Sequence, residues 1–128
     1  MSRPSTDPHL TPLPVRAARP LIDAFMRSGR CPEEHRFHAR SSLPLLALFL
    51  AMTEEQDSRG LPWHRLTPDA LVGASLEQDD AELGFLRDLL DVAAAFYGYL
   101  AERGVIRREE AHPIRRRLTE LALAFAHS

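Results

Sequence analysis

The clearest pattern in the sequence is a long amphipathic stretch at about residues 80–103. Apolar side chains recur there three or four residues apart, which is the repeat of one face of an α-helix. They form two adjacent stripes, Leu83, Leu86, Leu90, Ala93, Tyr97 and Leu100 in the first and Phe85, Leu89, Val92, Phe96 and Tyr99 in the second. So wide an apolar face needs more than one neighbour. We therefore predict a central helix that ends at Gly104.

Shorter patterns predict helices on both sides of this long one. The first begins at Pro20, because proline suits the first turn of a helix. Beyond the apolar segment in the first half of the chain, a loop is predicted at residues 56–66, with Trp63 folded back onto the core. A short helix then begins after Thr67, and the final helix begins at Pro113 and runs to the end of the chain.

Pro44 divides the apolar segment in the first half of the chain. A helix begins at Pro32, and a proline does not continue an uninterrupted helix. Either this helix kinks at Pro44 or a new one starts there, and we favour a new start with Ser42 as its N-cap. The residues from Leu43 to Met52 are apolar on all sides, which predicts a helix surrounded by others.

These elements predict an all-α fold, a compact bundle of about five helices around the long central one. Residues 1–14 contain four prolines and can bury little, so we expect a flexible, extended N-terminal arm. Residues 15–128 are then a single helical domain. The composition agrees, because aromatic residues make up only 7% of the 128 residues and Leu and Ala dominate.

The composition also narrows the environment in which the protein works. The single cysteine, Cys31, cannot form an internal disulfide, so the fold does not depend on an oxidising compartment. The N-terminal residues contain no apolar signal-peptide core. The most apolar run is about half the length of a membrane-spanning helix. We therefore expect a cytoplasmic protein with no membrane partner.

Charge is distributed unevenly along a chain with a formal net charge of −2. All 16 basic residues are Arg, which genome composition explains better than a binding function does. Residues 1–40 carry +3, residues 41–100 carry −7, and residues 101–128 carry +2. The densest basic group is Arg107, Arg108, Arg115, Arg116 and Arg117. It can bind phosphates, or it can be a solvated helix face balanced by nearby Glu residues.

Few residues are candidates for metal binding or catalysis. Cys31, His35 and His38 have a spacing that places three metal ligands near one face of a helix start, with His64 or Glu34 as a fourth. Tetrahedral zinc sites normally show two separated ligand pairs, so we favour surface histidines and predict no metal or other cofactor. No glycine-rich phosphate loop, nucleophile elbow or HExxH motif occurs, so we predict no enzyme activity.

Three motifs, taken in order along the chain, carry a resemblance to a known family. They are the step L-T-P-D-A-L at 66–71, the run L-x-x-L-L-D-V-A-A-A-F-Y-G-Y-L-A-E-R-G-V-I at 86–106, and Pro113. Over about residues 20–113 the chain resembles the SAM-like core-binding domain of tyrosine recombinases. The resemblance implies a clamp-like DNA contact or a repurposed helical module. It does not imply strand exchange, because the sequence has no counterpart of that family's catalytic domain.

The function expected from the sequence is binding. The leading hypothesis is an adaptor that contacts another protein through the long helix, with Tyr97 and Tyr99 as anchors and the arginine group as a rim. The alternative for these tyrosines is the core, if helices of the same chain cover that face. The alternative function is accessory DNA or RNA binding through the arginine-rich segment 107–117. Assembly into a homo-oligomer also stays open.

Overall fold

The computed structural model describes residues 13–53, 61–77 and 83–126. These residues form five α-helices: α1 Leu13–Arg27, α2 Arg36–Thr53, α3 Pro68–Leu76, α4 Leu83–Glu102 and α5 Arg108–Ala126. Short 3₁₀ turns at Glu33–His35 and Trp63–Arg65 precede α2 and α3. No strand occurs within the described ranges, and the predicted all-α bundle is confirmed.

Helix α4 is the central element that the apolar stripes predicted. It packs along α5 and also against α2, and α2 in turn packs on α1. Most of both stripes is buried, namely Leu86, Leu89, Leu90, Val92, Ala93, Phe96, Tyr97, Tyr99 and Leu100. Phe85, in the first turn, is 36% exposed. Neighbours therefore cover both stripes along nearly the whole helix.

Aromatic rings fill the space between α1, α4 and the turn at Trp63. The edge of Phe96 meets Phe25 and Trp63, with ring centroids 5.3 and 5.2 Å apart respectively. The hydroxyl of Tyr97 donates a hydrogen bond to the carbonyl of Trp63 at 2.6 Å. Burial raises the pKa of Tyr97, so this hydroxyl stays protonated and remains a donor. Trp63 thus folds onto the core, as predicted.

Gly104 ends α4, as predicted, and turns the chain back toward α5. Its φ of +73° is in the left-handed region that favours glycine. The N–H of Val105 donates to the carbonyl of Leu100 at 2.9 Å, and the N–H of Gly104 donates to Ala101 at 3.1 Å. This pair of bonds is the Schellman motif, which satisfies carbonyls at the end of a helix.

Three predicted helix starts are wrong, and each error involves a proline. Helix α1 starts before Pro20, α2 continues through Pro44, and α5 starts before Pro113. A proline inside a helix removes a hydrogen bond and costs about 3 kcal/mol. Each helix nevertheless buries apolar residues on both sides of its proline, namely Ala18 and Ile22, Leu43 and Leu46, and Ala111 and Ile114. Burial, at about 1.5–3 kcal/mol for a large side chain, offsets that cost.

Three further expectations change. Of the arm predicted over residues 1–14, residues 13 and 14 belong to α1, and residues 1–12 lie outside the described ranges. Ser42 is not an N-cap, since it is buried inside α2 and its hydroxyl donates to the carbonyl of His38 at 2.7 Å. Helix α2 is also not surrounded on all sides, because Leu45 and Met52 are exposed.

The remaining elements follow the predicted order. Helix α3 begins at Pro68, directly after Thr67, as predicted, and extends to Leu76. The 3₁₀ turn after Pro32 leads directly into α2. Within the described ranges, no helix combines the length and the apolar character that crossing a membrane would require.

Candidate functional site

The two tyrosines predicted as anchors lie inside the bundle. Tyr97 is fully buried and Tyr99 nearly so. Their rings pack against Trp63 and Phe25, with centroids 6.4 and 5.6 Å apart respectively. Helices of the same chain therefore cover this face of α4, and neither tyrosine presents a surface to a partner. The two tyrosines therefore belong to the core, which is the alternative that the sequence left open.

Arg117, the last residue of the predicted arginine group, joins α5 to α3. Its guanidinium donates to both carboxylate oxygens of Asp69, with distances of 2.6 Å from Nη2 to Oδ1 and 2.9 Å from Nε to Oδ2. A further bond reaches Glu120 at 3.2 Å. The hydrogen bonds from Arg117 lower the pKa of the Asp69 carboxyl. Both side chains are partly exposed, so solvent screens the pair, and its main effect is to position α3 on α5.

Arg115 and Arg116 also contact their own chain. The Nε of Arg115 donates to the carbonyl of Ala94 in α4 at 3.2 Å. Its guanidinium covers Gly98, where a Cβ would lie only 3.0 Å from the Cζ atom of Arg115. Arg116 lies 3.3 Å from the carboxylate of Glu120, one helical turn further on. Three of the five predicted arginines therefore have partners within the bundle.

Arg107 and Arg108, at the start of α5, differ from these three arginines in their contacts. Neither guanidinium has an ion-pair or hydrogen-bond partner among the residues that the structure describes. Both line a cavity of about 890 Å³ between α1, the Trp63 turn and the Gly104 turn. Arg65 lines the same cavity, which we call the arginine cavity. The structure thus brings two predicted residues together with a third that the sequence pattern did not single out.

Cys31, His35 and His38, the weak metal-ligand candidates of the sequence, do not form a metal site among the described residues. His35 is buried against α4, with its ring nitrogens 3.5 Å from Asp88 and 3.4 Å from Asp91. Cys31 is also buried, and this burial raises the pKa of its thiol. Counting His38 as well, no three His, Cys, Asp or Glu side chains in the described ranges form a group that could hold a metal ion.

A second surface, which the sequence analysis missed, lies along α1 and α2. Phe37 is 86% exposed and borders a shallow cavity of about 520 Å³. A smaller cavity of about 160 Å³ shares Met26 and Arg40 with it, so the two are continuous. We call them the α1–α2 groove, lined by Val15, Arg19, Ile22, Asp23 and Met26 of α1 and Arg36, Phe37, Arg40, Ser41 and Pro44 of α2.

The α1–α2 groove has an apolar base and a basic rim. On each helix the lining residues recur three or four positions apart, which places them on one side of that helix. Together they form a strip along the line where α1 and α2 meet. The apolar members are Val15, Ile22, Met26, Phe37 and Pro44. The charged members are three arginines, Arg19, Arg36 and Arg40, against Asp23 alone. Nη2 of Arg36 donates to the carbonyl of Met26 at 3.3 Å, which fixes one side of the rim.

Apolar exposure continues along α2 beyond the groove. Leu45 is about half exposed and Met52 is 84% exposed. They follow Phe37 by eight and fifteen residues, close to two and four helical turns, so all three lie on one side of α2. Exposed apolar side chains aligned on one side of a helix make that side a candidate interaction surface.

No protein-family model, no curated protein and no solved structure matches this chain. The resemblance to the core-binding domain of tyrosine recombinases therefore stays a prediction from the motifs alone. Among the described residues, the α1–α2 groove and the arginine cavity are the candidate binding sites.

Proposed function

We propose that this protein is a non-enzymatic helical module that binds another protein, and that the bound segment is an acidic amphipathic helix lying in the α1–α2 groove. Phe37 carries the proposal, because it is 86% exposed beside an apolar cavity. Burying such a side chain is worth about 1.5–3 kcal/mol. A partner that covers Phe37 therefore gains the kind of aromatic anchor that dominates protein interfaces.

The dimensions of the groove favour a helical ligand. The lining of α1 extends from Val15 to Met26, a distance of about 16 Å at 1.5 Å per residue. Three turns of a partner helix span that length. Apolar residues at positions i, i+3 or i+4, and i+7 of the partner would then face Ile22, Met26 and Phe37, as in other helix-in-groove complexes.

The charge of the rim favours an acidic partner. Among the described lining residues, Arg19, Arg36 and Arg40 outnumber a single acid, Asp23, on a chain whose net charge is −2. The positive rim is therefore a local feature and not a property of the whole surface. Charges placed around an apolar contact add specificity and speed of association more than affinity, so we expect acidic peptides to be selected over basic ones.

Nucleic-acid binding through residues 107–117, the alternative expected from the sequence, has weaker support. Arg115, Arg116 and Arg117 are engaged with α4, α3 or a neighbouring turn of α5. Phosphate contacts would have to compete with those pairs. Only Arg107 and Arg108 of the group are left with no described partner, too few for strong binding to a polyanion.

Selection from a random peptide library, with the full chain immobilised, tests the proposal. We expect enriched peptides to have net negative charge and apolar residues at helical spacing. Their binding should weaken by at least about tenfold in Phe37→Glu. Leu123→Glu is the matched control, because Leu123 is also exposed but lies on α5 and does not line the groove, so binding should persist. Equal enrichment by Phe37→Glu, or enrichment of basic peptides, would overturn the proposal.

A second copy of the chain is the other occupant to test for. Sedimentation velocity over a wide concentration range distinguishes it from a foreign helix. We expect the protein alone to stay monomeric. A dimer that dissociates in Phe37→Glu and persists in Leu123→Glu would replace the proposed partner with self-association.

A further inference from the structure

The arginine cavity and the α1–α2 groove lie on opposite flanks of α1. Ala17 and Leu21 line the cavity, whereas Val15 and Arg19 line the groove. The buried face of α1, which includes Phe25, lies between these flanks. At about 890 Å³ the cavity has the volume of a pocket for a small organic ligand, although it is open to solvent.

One part of the cavity wall is strongly basic. Arg65 comes from the Trp63 turn, and Arg107 and Arg108 come from the start of α5. Within the described ranges none of these three guanidinium groups has an ion-pair partner. The one carboxylate of the lining, Glu110, accepts a hydrogen bond from the backbone N–H of Arg107 at 2.9 Å. Three like charges placed together repel one another, and an anion bound among them would relieve that repulsion.

Apart from His64 and Gly104, the rest of the wall is apolar. It consists of Ala17, Leu21, Leu61, Pro62, Trp63, Ala101, Val105 and Ile106. An inorganic ion would use only the arginines and leave this apolar surface in contact with water. A ligand that joins an acidic group to an apolar or aromatic body would use both parts of the wall.

We infer that the arginine cavity binds a small organic anion, in which a phosphate or carboxylate group is attached to an aromatic or apolar body. The planar guanidinium groups of Arg65, Arg107 and Arg108 would bind the oxyanion, because their paired N–H groups match its oxygens. Val105, which is 40% exposed, and the partly exposed Leu21 and Leu61 would contact the apolar body beside Trp63. This site shares no lining residue with the α1–α2 groove, so the inference does not depend on the proposed protein ligand.

Trp63 supplies the readout for a binding experiment, since it is the only tryptophan of the chain and lines the cavity. Its indole N–H gives a single signal in a two-dimensional proton–nitrogen NMR spectrum. The probes are phenyl phosphate and benzoate, with benzyl alcohol as the neutral analogue and inorganic phosphate as the analogue without a ring. We expect saturable shifts with at least one aromatic anion, at a dissociation constant below about 1 mM, and at least about tenfold weaker binding of both analogues.

Variants of α5 show whether the arginines are responsible. The double variant Arg107→Ala with Arg108→Ala should weaken binding of the aromatic anion by at least about tenfold. Arg116→Ala is the matched control on the same helix, and it should bind as the unaltered protein does. Among the described lining residues Glu110 is the only carboxylate, so Glu110→Gln should tighten binding, and its amide oxygen can still accept the Arg107 N–H.

Three results would each overturn the inference. The first is that neither aromatic anion produces a saturable shift, the second is that the double variant binds the aromatic anion with unchanged affinity, and the third is that benzyl alcohol binds as tightly as the aromatic anion. Stronger binding of a single-stranded oligonucleotide that displaces phenyl phosphate and weakens steeply with salt would make nucleic acid the occupant. Failure of the α1–α2 groove to select acidic peptides would leave this inference intact, because the two sites share no lining residue.

Discussion

Helices α2 and α4 are both strongly apolar, but the bundle covers them to different extents. Neighbours bury α4 along most of its length, and Phe85 is 36% exposed in its first turn. Helix α2 buries one face through residues such as Leu43 and Leu46, and leaves Phe37 and Met52 more than 80% exposed. The apolar content of a helix therefore does not reveal where its free surface lies. Helix α4 accounts for stability, and helix α2 carries the proposed binding surface.

The largest expected effect compares one phenylalanine from each helix. Phe96→Ala in α4 removes a fully buried ring that contacts Phe25 and Trp63, so it should lower the free energy of unfolding by about 3–5 kcal/mol. Phe37→Ala in α2 removes an exposed ring and should change it by less than about 0.5 kcal/mol. Urea unfolding followed by circular dichroism measures both. Similar losses in the two variants would show that the Phe37 face is covered.

A smaller effect concerns the hydroxyl groups of the two tyrosines in α4. Tyr97→Phe removes the donor to the Trp63 carbonyl and leaves that carbonyl without its partner, which should cost about 1–2 kcal/mol. Tyr99→Phe is the control, because among the described residues its hydroxyl has no hydrogen-bond partner. Urea unfolding should show little change in this control. If Tyr99→Phe lowers the free energy of unfolding as much as Tyr97→Phe does, the hydrogen bond from Tyr97 to Trp63 does not stabilise the core.

Gly98 tests how firmly α5 is fixed to the outer side of α4. An alanine at this position gains up to about 1 kcal/mol of helix propensity and displaces only the end of the exposed Arg115 side chain. We therefore expect Gly98→Ala to raise the midpoint of thermal unfolding slightly. A lower midpoint would show that the contact between Arg115 and α4 is tighter and more valuable than its exposure indicates.

The smallest effect belongs to the exposed ion pair between α3 and α5. Hydrogen bonds from Arg117 lower the pKa of Asp69 in the folded state, so this pair stabilises the fold above the ordinary pKa of aspartate. The contribution is lost as the pH falls through the lowered pKa. Asp69→Asn should therefore unfold slightly earlier than the unaltered protein at pH 7, and the difference should disappear in strong acid. A difference that persists there would mean that the pair is not its source.

The course and the end of the long helix could be predicted because two independent local signals agree, whereas its start, predicted at about residue 80, lies outside the described residues. The apolar stripes continue over many turns, and Gly104 offers the left-handed conformation that ends a helix. The starts of α1, α2 and α5 could not be predicted in this way. The local cost of Pro20, Pro44 or Pro113 is offset by burial against other helices, and the sequence of one helix does not show that burial.

The candidate sites were predictable only in part, for a similar reason. Arg107 and Arg108 belong to a visible cluster, but whether an arginine is already paired depends on residues far away in sequence. Arg117, for example, pairs with a carboxylate 48 residues earlier. Phe37 has polar neighbours in the sequence and matches no apolar stripe. Its importance appears only when α1 and α2 pack and leave a groove beside it.

The uncovered face of α2, and not the apolar face of α4, of which Phe85 is the exposed part, is proposed to bind the partner. Calorimetric titration of a selected acidic peptide into the unaltered protein, Phe37→Ala and Phe85→Ala tests it directly. We predict at least about tenfold weaker binding to Phe37→Ala and unchanged binding to Phe85→Ala, with both variants folded. Unchanged affinity in Phe37→Ala, or a loss confined to Phe85→Ala, would contradict the claim.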